Sequence, residues 1–207
     1  MRFRAAPVIF ALVATLALAA CASPGAAETS STVPPSPTSS PTPTPTPTPT
    51  ASAPAVDPAD MSTWTITADG IGPVERGADS AQIVDALSAF EANEMCPGIV
   101  GLQRDASAEI VMSLADDGRI SKVWVTAWGN DGSASPMTEA GISLGSSMDE
   151  LEAAYPDLST VVQRGADTWV YSVQPNPEGM IDFVVEDEVV TLIGASDSSM
   201  TPKEWCG

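Results

Sequence analysis

The sequence predicts an α+β fold: two tandem helix-plus-hairpin repeats that form a two-layer domain, an antiparallel sheet with both helices on one face. Three observations predict it. Residues 72–87, GPVERGADSAQIVDAL, align with 140–155, AGISLGSSMDELEAAY, at an offset of 68, which sets Gly77 on Gly145, Val74 on Ile142, Ile83 on Leu151 and Ala86 on Ala154. Each copy places a helix-capping pattern before an amphipathic run. Each is then followed by two apolar runs joined across a polar turn.

The elements follow in order. Residues 63–67, TWTIT, alternate as a strand does. Asp79 and Gln82 in the first copy, and Ser147 and Glu150 in the second, stand three apart at the start of a helix; Ser147 and Glu150 make the S-x-x-E capping box. Ile83, Leu87 and Phe90, spaced by four and three, fall on one helix face. Residues 108–128, AEIVMSLADDGRISKVWVTAW, carry Asp117-Gly118 between apolar runs, a strong hairpin signal. Residues 179–195, GMIDFVVEDEVVTLIGA, give the second hairpin, with its turn near Glu186 to Glu188. Leu114 then falls on Phe183, Ile120 on Val189 and Val123 on Leu192, at an offset of 69. The second copy adds the strand TWVYSV, residues 168–173. The repeats span about 62–130 and 131–197 of a domain at 61–207.

The N-terminus states an address. Arg2 and Arg4 precede an apolar run to Ala20, which reads as an export signal over residues 1–20. Leu18-Ala19-Ala20-Cys21 resembles the bacterial lipobox. That resemblance implies cleavage before Cys21 and acylation of its thiol, which would hold the protein on the outer face of the cell membrane. Residues 21–60 are rich in Pro and Thr and nearly free of large apolar side chains, so they cannot offset the entropy of ordering. The Pro-Thr alternation favours a polyproline II spacer. The 39 residues between Cys21 and Met61 would reach about 100 Å.

The tandem copies, the Gly77 and Gly145 helix starts and the hairpin after each helix resemble the fold of the β-lactamase inhibitory protein and of the small SmpA/OmlA-type outer-membrane lipoproteins. More generally, the chain is similar to tandem-repeat lipoproteins of actinobacteria. The resemblance implies a location and a two-layer fold. It carries over no contact residue and no chemistry.

Charge and cysteine content narrow the classes. The chain has 27 acidic and 8 basic side chains and a formal charge of −19. Without Arg2 and Arg4 the balance is 27 against 6, near −21. Such a field disfavours nucleic acid and anionic surfaces. With Cys21 assigned to lipid, Cys96 and Cys206 remain as an even pair in an oxidising compartment, and the sequence predicts a disulfide between them. There is no histidine, so Ser-His-Asp chemistry is excluded, as are Cys₂His₂ and Cys₄ zinc sites. Lys122 and Lys203 lack a Ser-x-x-Lys setting, Gly70-Ile71-Gly72 lacks a dinucleotide-binding context, and Asn130-Asp131-Gly132 lacks the other ligands of a calcium loop.

Paired carboxylates occur at Asp116-Asp117, Asp149-Glu150 and Glu186-Asp187-Glu188. They fall in expected turns and a helix first turn, where acids satisfy backbone N–H groups. Two aromatic rows are the candidate binding residues: Trp124 and Trp128 on one strand, Trp169 and Tyr171 on another. If both rows face away from the helices they form a surface for a partner; if they face the helices they are core. The leading expectation is a non-catalytic, lipid-anchored, extracytoplasmic module that binds a protein partner and needs no cofactor. The alternatives are an inhibitor of an extracellular hydrolase and a carboxylate-dependent cell-wall glycosidase.

Overall fold

A computed structural model of the chain describes residues 56–127, 134–199 and 204–206. Cys21, the 21–60 spacer up to residue 55, and Trp128 lie outside the described residues.

Strands dominate. A 3₁₀ turn at Met61–Thr63 leads into three two-residue strands, β1 (Thr65–Ile66), β2 (Gly70–Ile71) and β3 (Val74–Glu75). Helix α1 (Ser80–Ala86) is followed by β4 (Glu91–Cys96), β5 (Ile99–Gln103), β6 (Glu109–Leu114) and β7 (Ile120–Thr126). Strand β8 (Met137–Thr138) and helix α2 (Met148–Ala154) precede β9 (Ser159–Gln163), β10 (Thr168–Asn176), β11 (Gly179–Glu186) and β12 (Val189–Ser196). A small sheet runs β3-β2-β1-β8 and an eight-stranded sheet runs β4-β5-β6-β7-β12-β11-β10-β9. The small sheet lies on β7 and β12 of the large one.

This overturns the predicted helix-plus-hairpin, two-layer α+β architecture. Each helix has seven residues, two turns, too short to cover an eight-stranded sheet. Each is followed by four antiparallel strands rather than one hairpin. The missed strands have physical reasons. Strands β4 and β9, at the two edges, are almost wholly exposed along their length, so neither carries the alternation that betrays a half-buried strand. Helix α1 also stops early. Leu87 is its C-cap, donating its N–H to the Ile83 carbonyl, and Phe90 lies beyond the helix on a turn back to Leu87. Leu87 and Phe90 are buried, but they enter the core from outside the helix face they were assigned to.

The 68-residue offset has a local counterpart. Gly77 and Gly145 both take a left-handed backbone, with φ of 80° and 87°, a conformation that favours glycine. Gly77 donates its N–H to the Ile120 carbonyl at 2.7 Å, and Gly145 donates to Val190 at 2.9 Å. In each half the helix start is therefore tied to the beginning of the last strand. Asp79 caps α1 by accepting from the N–H groups of Ala81 and Gln82, while Ser147 and Glu150 close a capping box on α2. Both predicted hairpin turns form. Gly118 takes φ 80° in the first, and Asp187 and Glu188 take φ 51° and 65° in the second, the paired positive values of a type I′ turn.

The main core lies between the large sheet and the small sheet with the helices. Ile110 and Met112 of β6, Val123 and Val125 of β7, Phe183 and Val185 of β11 and Ile193 and Ala195 of β12 meet Trp64, Ile66, Ile71, Leu87 and Leu151 there. Alternate residues on these strands, Val111, Trp124 and Val184, are buried on the opposite face together with Val170 of β10. On that second face the Trp124 indole lies across Gly194, its partner on β12, and a Cβ at 194 would strike the Trp124 Cδ1 and Nε1. Gly194→Ala is therefore expected to displace the ring and cost about 1–3 kcal/mol in denaturant unfolding. A change within the error of the measurement would show that the ring does not pack there.

Candidate functional site

Trp124 does not share a surface with Trp169 and Tyr171. Register fixes this. Trp124 pairs with Gly194 and, across β6, with Val111, which places it on the second face. Trp169 pairs with Val185 and Tyr171 with Phe183, both core residues, so these two face the helices. Burial raises the Tyr171 phenol, with Glu188 and, on α2, Glu152 adding to the effect. Trp124 is 3% exposed, and Trp169 and Tyr171 are half-buried. Trp128 lies outside the described residues.

Cys96 and Cys206 lie at disulfide distance, with Cα atoms 6.0 Å apart across 110 residues of sequence. This pairing places Trp205 over the second face, where its ring stacks at 5.1 Å from Trp124, tilted by 55°. Trp205 is a functional candidate that the sequence reading missed. The signal was its position next to Cys206: a bridge that ties the cysteine to β4 brings the indole with it.

Beside Trp205 the second face opens into a groove of about 640 Å³. Thr126 of β7, Leu192 of β12 and Val184 of β11 are successive cross-strand neighbours and line it. Trp205 and Leu144 add apolar lining, and Arg164, Glu186 and Glu204 supply charge. Burial lowers the Arg164 guanidinium pKa, and the negative charge of Asp182 works against that shift.

A second cross-strand row runs beside the groove: Trp124, Gly194, Asp182 and Ser172, on β7, β12, β11 and β10. Its polar atoms are buried, and Trp124 Nε1, Asp182 Oδ1 and Ser172 Oγ have no partner in hydrogen-bonding geometry among the described residues. Asp182 is fully buried, and desolvation holds its carboxyl above the usual range, opposed in part by the hydroxyls of Ser196 and Ser172 and by the charges of Lys122 and Arg164. Hydrogen-bond counting points the same way. Ser196 Oγ lies 2.7 Å from Asp182 Oδ2 and 2.7 Å from the Ser198 carbonyl oxygen. A hydroxyl has one proton, and the carbonyl can only accept. Both contacts are satisfied when Ser196 donates to Ser198 and a protonated Asp182 donates to Ser196.

The paired carboxylates serve local structure. Asp117 accepts from the Arg119 N–H in the first hairpin turn and lies 3.7 Å from its guanidinium. Glu150 accepts from the Ser147 N–H and hydroxyl, which hold its carboxyl below the usual range. Asp187 and Glu188 form the second turn. Of the three acidic groups only Glu186 lines the groove.

No family model matches the sequence, and no curated protein matches it. Among solved structures the chain is similar to an extracellular protein containing an SCP domain from Bacillus anthracis, with 13% identity and a TM-score of 0.38. The match covers 60% of this chain and 44% of that one, so the chain spans less than half of that protein's length. A likeness at this level carries no argument about function. Among the described residues no helix is long and apolar enough to cross a membrane.

Asp182 sets a pH dependence. The folded chain keeps a proton that the unfolded chain, with an ordinary carboxyl near 3.9, releases. The native state then binds more protons, so stability falls as pH rises from about 4 through the folded value. Asp182→Asn keeps the shape without the charge and should remove this slope: at pH 7 it should be at least as stable as the parent, with its advantage shrinking towards pH 4. Unfolding curves across that range test it. A variant destabilised more at pH 7 than at pH 4 would mean that Asp182 is ionised in the fold.

Proposed function

We propose that this protein is a lipid-anchored, extracytoplasmic, non-catalytic module that binds another protein through the second face of its large sheet. The observation that carries this reading is the groove: an aliphatic floor of Val184 and Leu192 beside an indole, Trp205, that stands immediately before the tethered Cys206. Tryptophan is enriched at interface hot spots, and an indole beside an apolar floor offers a partner side chain a surface to pack on. The Cys96–Cys206 pair supports an oxidising compartment. The lipobox-like Cys21 and the Pro-Thr spacer support an anchored domain held away from the bilayer. The glycosidase alternative draws less support, because the paired acids sit in turns and a helix cap.

Leu192 is half-exposed in the groove, so Leu192→Glu should abolish partner capture from an envelope extract while leaving the melting temperature close to that of the parent. The loss corresponds to at least about 2 kcal/mol at a hot spot. Capture that is unchanged in a folded variant would remove the groove from the interface. For the anchor, Cys21→Ala should move the protein from the membrane fraction to the soluble fraction. Full sedimentation with membranes after a high-salt wash would end the lipoprotein reading.

A further inference from the structure

The chemistry of the groove narrows the kind of partner it fits. Most described basic side chains have structural partners. Arg76 donates to the carbonyls of Ala68 and Glu178, Arg104 to that of Ala59, and Arg119 to that of Gly77, while Lys122 reaches Ser198. Arg164 also lines the groove, one positive charge against the two negative charges of Glu186 and Glu204. Glu186 and Glu204 are exposed and line this apolar surface. They set its outward sign, and the whole chain, at −19, reinforces it.

We propose that the groove docks a basic, apolar polypeptide segment. One aliphatic or aromatic side chain of that segment packs on Leu192, Val184 and the Trp205 ring, and flanking lysine or arginine side chains pair with Glu186 and Glu204. The inference rests on the protein-binding reading and deepens it. Charge complementarity selects this occupant over the others. A second copy of the chain would bring acid against acid. The chain's own spacer, residues 21–60, contains no Lys or Arg and no aliphatic side chain larger than valine. A cationic segment is drawn in by the field of the domain and retained by burial of its apolar side chain, so its association is fast at low salt and slows as salt is added.

The test uses the full-length protein and three fluorescent peptides of equal length: a lysine-flanked dileucine, a lysine-flanked diserine and a glutamate-flanked dileucine. The first should bind at least about tenfold more tightly than either control, which is about 1.4 kcal/mol. Glu186→Gln with Glu204→Gln should weaken it by about fivefold and flatten its salt dependence, as expected for two exposed ion pairs. Leu192→Ser should reduce it to the level of the diserine peptide. Equal binding of the diserine peptide would assign the effect to net charge alone, and equal binding of the glutamate peptide would assign it to apolar burial alone; either overturns the proposal. So would a dimer of the parent that Leu192→Ser dissociates, which would make a second copy the occupant. Partner capture that depends on Leu192 but not on Glu186 and Glu204 would leave the protein-binding reading standing and remove the basic segment from it.

Discussion

Strands β7 and β12 are where the two four-stranded meanders meet, and their register sets both faces of the large sheet. Val123 stands opposite Ala195 and Val125 opposite Ile193 on the face that meets the small sheet and the helices. The residues between them, Trp124 and Gly194, stand opposite each other on the second face. A slip of one residue would send the valines out and the tryptophan in, because side chains alternate with a period of two. The fit of the indole across a glycine helps fix the register, since a larger residue at 194 would strike the ring. The glycine N–H bonds from Gly77 to Ile120 and from Gly145 to Val190 then hold each helix start against the first residues of these two strands.

A central strand in a sheet covered on both sides buries both of its faces, and this explains the polar row next to Trp124. Asp182, Ser172 and Ser196 sit near the middle of the sheet, where water does not reach them. An ionised carboxylate in that position would carry a large desolvation cost. A protonated one gives Ser196 a donor and frees the serine hydroxyl for the Ser198 carbonyl. The same burial that fixes the register therefore raises the Asp182 carboxyl above its usual range, and the dependence of stability on pH follows from that.

Local signals were legible where a backbone conformation demanded a residue type. Gly77 and Gly145 marked the helix starts, Asp79 and the Ser147–Glu150 pair marked the caps, and Asp117-Gly118 marked a turn. The pairing of Cys96 with Cys206 was legible from cysteine count and compartment. The architecture was not. The edge strands β4 and β9 are too exposed to show a period, and the two-residue strands of the small sheet are too short for one. The separation of Trp124 from Trp169 and Tyr171 was not legible for a different reason. Apolar residues on both faces of β7 leave the period silent about orientation, and only the cross-strand partners, Gly194 for Trp124 and Phe183 for Tyr171, separate one face from the other.

The groove follows from how the second face is covered. Trp205 reaches that face because its neighbour Cys206 lies against Cys96 on the edge strand β4, at the far side of the sheet from β9. Its ring covers Trp124 and so completes the burial of β7 at that point. At the next pair on the same face, Leu192 opposite Thr126 is partly exposed, with Val184 beside it on β11. An aliphatic patch left partly open at the centre of a large sheet has no folding benefit over one that is covered. The indole that covers the first pair is also a wall for the second, so the tether that finishes the core also shapes the binding surface.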